Sequence, residues 1–209
     1  MFVKEIKYSG GARVLVWHLE EDAAQLLNLC REAGLSCEDL TELPAKRQRE
    51  KAAELLLLCR AFGRPVALCH DRQGAPSVEG EAMNISITHT PLLVAVALDE
   101  NRIVGLDAER MDRHQVIKVR SKFLNASEQQ FVSPDDLAAH IIAWTAKEAI
   151  IKAERNSSLD WTEGIVLEPF VIDVPEPDGM MLAATCAGHR YRLEVRFVDG
   201  HYLTLASPW

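Results

Sequence analysis

Residues 84–109 read NISITHTPLLVAVALDENRIVGLDAE, and this stretch decides the fold class. Residues 84–88 alternate between polar and apolar side chains, which is typical of a strand with one buried face. Residues 92–98 are uniformly apolar and predict a fully buried strand. The polar loop at 99–101 predicts that the chain returns through residues 103–109 as the second arm of a hairpin. Consecutive antiparallel strands of this kind favour an α+β protein over a doubly wound parallel sheet.

Three helices are predicted outside this stretch. Residues 44–62 begin with a proline and are followed by Gly63, which is typical of a helix with clear ends. Residues 127–130 (SEQQ) have the form of a capping box and predict a short helix. The Ser-Pro pair at 133–134 predicts the start of a further long helix, which ends near Asn156.

Strands are predicted at both ends of the chain. Residues 14–19 (VLVWHL) form one of them. The tail contains three β-rich segments, MLAATCA, YRLEVRFV and HYLTLA, and the Asp199-Gly200 pair between the last two is typical of a tight hairpin turn. Neither a dinucleotide-binding nor a P-loop glycine motif occurs in the sequence.

The composition is that of a globular protein. Of 209 residues, 48% are hydrophobic and 26% are charged, and the net charge is −8. An acidic chain is a poor match for nucleic acid, because binding to phosphates needs a basic face. The sequence has neither the apolar block of a signal peptide nor a run long enough to span a bilayer, so a cytoplasmic protein without a membrane partner is expected. The cysteine and histidine spacings favour neither a disulfide framework nor a zinc site.

Two basic islands stand out against this acidic background. Residues 46–51 include Arg47 and Arg49. Residues 110–122 form the second island, whose cations include Arg113, Lys118, Arg120 and Lys122. Such islands are either solvated helix faces or surfaces for anionic ligands and acidic partners.

A pair of carboxylates follows the buried strand. Side chains alternate along a strand, so Asp107 and Glu109 point to the same side, while the apolar Leu106 and Ala108 face the other way. Two adjacent carboxylates repel each other unless a cation lies between them, and hard oxygen ligands suit magnesium. The alternative is a strand edge with two solvated acids.

Two more segments carry candidate functional groups. In residues 144–153 (WTAKEAIIKA), Thr145, Glu148 and Lys152 share one helix face, although Glu and Lys at this spacing are also a common stabilising pair. In residues 85–90 (ISITHT), His89 lies between two threonines and could donate to a phosphate together with them. A structural histidine is the alternative.

Taken in order, ISITHT, VGLDAE and WTAKEAIIKA resemble three segments of the 4'-phosphopantetheinyl transferase superfamily. The resemblance extends from about residue 44 to residue 170. It implies two similar α+β lobes, residues 1–102 and 103–209, that form a pseudo-dimer with coenzyme A in the cleft between them. The chain length resembles that of the two-lobed, monomeric type.

The resemblance also implies a chemistry and its residues. Asp107, Glu109 and Glu148 would hold magnesium together with the coenzyme A pyrophosphate. Glu148, directly or through a water, would take the proton from a carrier-protein serine, and Lys152 would neutralise charge as 3',5'-ADP leaves. The activity would be that of a holo-acyl-carrier-protein synthase, which serves fatty-acid, polyketide or peptide biosynthesis.

Further contacts follow from the same resemblance. His89, with Thr88 or Thr90, would bind a coenzyme A phosphate, and Lys147 would adjoin the site. Because carrier proteins are acidic helical bundles, the second basic island would receive one of them next to the site through Arg113, Lys118, Arg120 and Lys122.

Two positions depart from the family pattern. Ala75 replaces the lysine of a family G-K-P turn, and Glu54 stands where the family often has an arginine. A carboxylate at position 54 would repel a phosphate, and Arg47, Arg49 and Arg60 are the candidates to replace the missing cation. These departures leave open a non-catalytic relative that binds carrier protein. A magnesium-dependent phosphoesterase that uses the same carboxylates is a further alternative.

Overall fold

Two antiparallel sheets dominate the structure, which is a computed structural model that describes residues 3–209. In chain order the helices and strands are β1 Val3–Lys7, β2 Arg13–His18, α1 Ala23–Glu32, α2 Ala45–Phe62, β3 Leu68–His70, β4 Pro76–Val78, β5 Asn84–Thr90, β6 Leu93–Asp99, β7 Gly105–Arg110, α3 Gln115–Lys118, α4 Glu128–Phe131, α5 Leu137–Glu154, β8 Ile165–Leu167, β9 Asp178–Cys186, β10 His189–Val198 and β11 His201–Pro208.

Each half of the chain supplies one sheet. The first sheet has the order β1-β2-β6-β5, and the second has the order β7-β11-β10-β9-β8. A short β3-β4 hairpin stands apart from both. The mixed α/β character and the antiparallel pairing confirm the fold class in its coarse form.

The predicted hairpin between residues 92–98 and 103–109 is wrong. Strand β6 lies between β2 and β5 and has no free edge for another strand. Strand β7 pairs instead with β11 in the second sheet, where Leu106 is opposite Leu205. The loop after β6 is therefore a crossing from one sheet to the other.

The helix predictions are confirmed in position but corrected at their starts. Helix α2 follows the prediction within one residue and ends at Gly63, whose φ of 67° is the left-handed conformation that glycine favours. Helix α5 begins at Leu137 rather than at the Ser-Pro pair, because the Asp136 side chain accepts from the Ala139 amide at 2.9 Å and caps it.

The predicted capping box at residues 127–130 is also wrong. The Ser127 side chain makes no capping hydrogen bond. Asn125 instead accepts from the Glu128 amide at 2.9 Å, and the Glu128 carboxylate accepts from the Asn125 amide at 2.9 Å. The box is thus shifted two residues toward the N-terminus.

The tail strands are confirmed, including the Asp199-Gly200 turn, where both residues have positive φ.

An apolar core fills the space between the two sheets, with Val16 and Ala95 from the first and Leu106 and Leu203 from the second. This contact places β5 beside β7. No helix formed by residues 3–209 is long and apolar enough to span a bilayer.

Candidate active site

Lys152 joins the three elements that form the site. Its ammonium group lies 2.8 Å from Asp107 Oδ1 and 2.8 Å from the Leu106 carbonyl oxygen, both on β7. It also donates to the Ile87 carbonyl oxygen of β5 over 3.4 Å. One lysine of α5 therefore contacts both sheets. The strand that it contacts in the first sheet, β5, also carries His89.

Close packing of α5 against β7 explains why these groups meet. A Cβ atom added to Gly105 would lie 1.8 Å from the Ala149 carbonyl oxygen, so glycine alone permits this approach. The Thr145 hydroxyl forms a 2.7 Å hydrogen bond with the Thr204 hydroxyl of β11. The polar face of the helix that the sequence predicts therefore lies against β7 and β11.

Asp107 and Glu148 are an interacting pair of carboxylates. Asp107 is buried, and its Oδ1 accepts from Lys152 and from the Thr88 hydroxyl, whereas its Oδ2 has no hydrogen-bond partner among residues 3–209. Burial and then the charge of Asp107 raise the pKa of Glu148, while Lys152 and Arg113 act in the opposite direction. A carboxylate with a raised pKa, such as that of Glu148, readily takes up a proton or a cation.

Glu109 is neutralised by an arginine. Arg113 forms an ion pair with Glu109, and its guanidinium lies 5.0 Å from the ring centroid of Trp144 on α5. Arg113, which was predicted to belong to a carrier-binding surface, is instead held by Glu109, and this pair was not predicted. The acid and the arginine are four residues apart, which was the available signal.

The three carboxylates do not form a ready metal-ligand cluster. Within residues 3–209, no three histidine, cysteine or carboxylate side chains are close enough together to hold a metal ion as they stand. Their chemistry nevertheless fits magnesium, because all are hard oxygen donors and Asp107 has a buried oxygen without a partner. The Lys152 and Arg113 cations balance Asp107 and Glu109 in this state.

His89 has an acidic environment. Its Nε2 atom lies 3.5 Å from Glu50, its Nδ1 atom lies 3.7 Å from Glu54, and both carboxylates are almost fully buried. Burial lowers the pKa of His89, and the two carboxylates oppose that effect. This environment is poorly suited to a phosphate, because two negative charges already flank the imidazole. The unfavourable effect of Glu54 on a phosphate was predicted from the sequence, whereas that of Glu50 was not.

Thr88 and Thr90 face away from His89, since neighbouring residues of a strand alternate. The Thr88 hydroxyl bonds to Asp107, and the Thr90 hydroxyl lies 2.9 Å from His201 Nε2. The expected convergence of three donors on one phosphate is therefore not found.

Arg47 and Arg49 have protein partners. Arg47 lies 2.7 Å from Glu50. Arg49 donates to three backbone carbonyl oxygens at 2.6–2.7 Å and so joins the loop after β2 to the turn between β5 and β6, at one end of the first sheet. Because the guanidinium of Arg49 donates to backbone carbonyl oxygens, Arg49 is not available to replace the phosphate-binding cation that the family has near position 54.

Lys147 lies outside the site, and its expected position beside coenzyme A is corrected. The side chain is fully buried, and its ammonium group donates to Glu128 at 2.7 Å and to the carbonyl oxygens of Trp161 and Ile165. The signal that could have shown this is its helical position, since its neighbours one turn away are apolar.

The second basic island is only partly a free surface. Lys118 and Lys122 are exposed. Arg120 instead donates to His140 Nε2 at 3.2 Å and to the Val132 carbonyl oxygen at 3.0 Å, so it braces the start of α5. Of the four cations predicted to contact a carrier, two have partners within the protein.

The fold and these side chains define a mixed α/β protein in which carboxylates and a lysine meet where two antiparallel sheets adjoin. A family model described as the 4'-phosphopantetheinyl transferase superfamily matches residues 103–206, a span that contains Asp107, Glu148 and Lys152. Through this span the chain belongs to that superfamily. No curated protein matches the chain.

Proposed function

We propose that the protein transfers 4'-phosphopantetheine from coenzyme A to a serine of an acidic carrier protein and releases 3',5'-ADP. The observation that carries this proposal is the meeting of Asp107, Glu148 and Lys152 at one point beside β5, within the span that matches the family. The reaction needs a base, a cation at the leaving group and ligands for a divalent cation. These three residues supply those groups.

The residues divide the reaction between them. The serine oxygen attacks the β-phosphorus, and the bond from that phosphorus to the bridging oxygen of the α-phosphate breaks. Glu148 accepts the serine proton, and its raised pKa makes its carboxylate a stronger base than an exposed one. Lys152 donates to the departing phosphate, which requires it to release Asp107.

Asp107, Glu109 and Glu148 would hold magnesium, which supplies charge neutralisation at the pyrophosphate oxygens. Arg113 and Lys152 balance these carboxylates in the structure, so both cations would have to release them for the site to hold magnesium. Arg113 also lines a cavity of about 450 Å³ together with His89 and Glu109.

Intact-mass spectrometry tests the proposal. An apo carrier protein is incubated with coenzyme A, magnesium and either the wild-type protein or Glu148→Gln, with the exposed Glu163→Gln as the matched control. We expect the carrier to gain one phosphopantetheine with the wild type and with the control. We expect a loss of rate of at least about 100-fold with Glu148→Gln.

One observation favours a second candidate, the non-catalytic relative that binds carrier protein. Glu50 and Glu54 flank His89, where the resemblance expects a phosphate contact. Measurable carrier binding without any mass gain, for several carrier classes, would replace the transfer reaction with this function. Release of 3',5'-ADP in the absence of a carrier would instead favour a phosphoesterase.

A further inference from the structure

A cavity of about 210 Å³ lies between the β3–β4 turn, strand β5 and the C-terminal end of α5. Its charged lining residues are Lys152 and Arg155, and no carboxylate of residues 3–209 lines it. Its other walls are neutral, with Pro76, Ile87 and Asn156 among them. Because Lys152 is at the same time part of the site, this cavity opens directly from the reacting groups.

The other cavities described for the protein are less suited to an anion. The cavity of about 570 Å³ beside α1 and α2 has more acidic than basic lining residues, with Lys46 and Arg49 outnumbered by the carboxylates. In the cavity beside His89, Arg110 and Arg113 are each paired with a carboxylate of the same lining, and the cavity beside β9 is lined by aspartates. A multiply charged anion is therefore best accepted in the cavity that Arg155 lines.

Arg155 has an unusual backbone conformation. It is the C-cap of α5, with φ 52° and ψ 34°, in the left-handed region. Glycine is the usual residue there, because a Cβ atom is crowded in this conformation. The Arg155 side chain is exposed and forms no ion pair or hydrogen bond with another residue of 3–209. The chain thus has a free guanidinium at a position that disfavours any side chain.

Lys152 and Arg155 are three residues apart, so they lie one helical turn apart along the same cavity. The donor of the proposed reaction has two anionic groups, a pyrophosphate and the 3'-phosphate of its ribose. The reaction requires the pyrophosphate at Lys152, which leaves the guanidinium of Arg155 for the second group. A planar guanidinium is well matched to a phosphate.

We propose that the nucleotide end of coenzyme A occupies this cavity and that Arg155 binds its 3'-phosphate. The inference rests on the proposed function and moves the nucleotide end away from His89, Arg47 and Arg49. It gives the unusual residue at the end of α5 a role in recognition of the donor.

Equilibrium binding of two probes tests this assignment. Isothermal titration calorimetry of 3',5'-ADP should show about tenfold weaker binding to Arg155→Ala than to the wild type, with most of the affinity retained by Arg155→Lys. Binding of 5'-AMP, which lacks the 3'-phosphate, should be the same for all three proteins. Arg31→Ala is the matched control, since Arg31 is also an exposed arginine at a helix C-terminus and lines none of these cavities.

Arg155→Gly separates recognition from folding. Because glycine suits the left-handed conformation, we expect this variant to melt at a higher temperature than the wild type and yet to bind 3',5'-ADP about tenfold more weakly. Wild-type affinity of Arg155→Gly for 3',5'-ADP would overturn the assignment. An equal loss of affinity for 5'-AMP and for 3',5'-ADP would overturn it as well. Either result can accompany normal transfer to a carrier, in which case the proposed reaction stands. Conversely, the Arg155 variants could bind 3',5'-ADP alone more weakly while the wild-type protein modifies no carrier. That result would support the phosphate site and contradict the proposed transfer reaction.

Discussion

Lys147 and Lys152 are five residues apart on α5, and the helix gives them opposite environments. Lys147 is fully buried between Glu128 and two carbonyl oxygens, whereas the Lys152 side chain is 30% exposed and lies beside Asp107. The sequence segment WTAKEAIIKA contains both lysines and does not distinguish their roles by itself. Their helical positions do, because only Lys152 shares a face with Thr145 and Glu148.

Removal of the Lys147 charge should destabilise the protein severely. Lys147→Met leaves Glu128 as a buried, unpaired carboxylate, and we expect a loss of about 3–5 kcal/mol in the free energy of unfolding. Urea unfolding measures this change. The double variant Lys147→Met with Glu128→Gln should recover part of the loss, because no charge is left buried. A double variant as unstable as the single one would show that shape, not charge, decides at this position.

Glu148 should make stability depend on pH. Burial and Asp107 raise its pKa, so the folded protein binds a proton at Glu148 more tightly than the unfolded chain does. That stabilisation is complete below the ordinary pKa of 4.5 and is lost as the pH rises through the raised pKa. In EDTA and near neutral pH, the Glu148→Gln protein, whose side chain is neutral, should therefore unfold at a higher urea concentration than the wild type. This difference in stability should become smaller as the solution is acidified. An advantage that does not change with pH would assign the effect to packing.

At the scale of elements, the contact between β7 and α5 brings the site together. Asp107 is on the strand, Glu148 and Lys152 are on the helix, and Gly105 allows the two backbones to touch. The same contact explains why β7 belongs to the second sheet and not to the first. Both its pairing with β11 and its cover by α5 are contributed by the second half of the chain.

Gly105→Ala should separate β7 from α5. The added Cβ would lie 1.8 Å from the Ala149 carbonyl oxygen and 2.7 Å from the Ala153 amide nitrogen, and backbone cannot yield as a side chain does. We expect a loss of at least about 3 kcal/mol in the free energy of unfolding, measured with urea. Gly34→Ala is the control, because Gly34 has open space around it and only its positive φ disfavours alanine, at about 1–2 kcal/mol. Similar losses in the two variants would contradict the steric explanation.

The elements show what sequence patterns predict well and where they fail. Local signals placed α2 and the tail hairpin within a residue or two, because their ends depend on Gly63 and on the Asp199-Gly200 turn. Strand pairing is not local, so the alternation in residues 103–109 identified a strand without identifying its neighbour. The capping box failed because another capping residue lies two positions earlier, since the Asn125 side chain accepts from the Ser127 and Glu128 amides.

The same distinction holds for the site. Asp107, Glu148 and Lys152 could be predicted from spacing on a strand and a helix, and the structure brings them together. The acidic surroundings of His89 depend on a contact between α2 and β5 that no spacing reports, although Glu54 was noticed as a departure from the family pattern. Long-range contacts therefore decide how well the surroundings of His89 suit an anion.

At the scale of the whole molecule, a net charge of −8 opposes an encounter with an acidic carrier protein. A local basic surface must then act at short range, since salt screens charges beyond roughly 8 Å under physiological conditions. With Arg113 and Arg120 used inside the protein, the exposed Lys118 and Lys122 remain. These two side chains are the carrier-binding surface that we propose.

Reversal of the two lysines tests that surface. Lys118→Glu with Lys122→Glu should raise the KM for the carrier protein about tenfold and leave kcat nearly unchanged, because the charges lie outside the reacting groups. The effect should shrink as salt is added, since the attraction is screened. Arg31→Glu with Arg60→Glu changes the net charge equally on the exposed ends of α1 and α2, and we expect it to leave KM within about twofold of the wild type. Equal increases in KM for both pairs would mean that total charge governs the encounter, and a fall in kcat alone would place the two lysines at the chemical step.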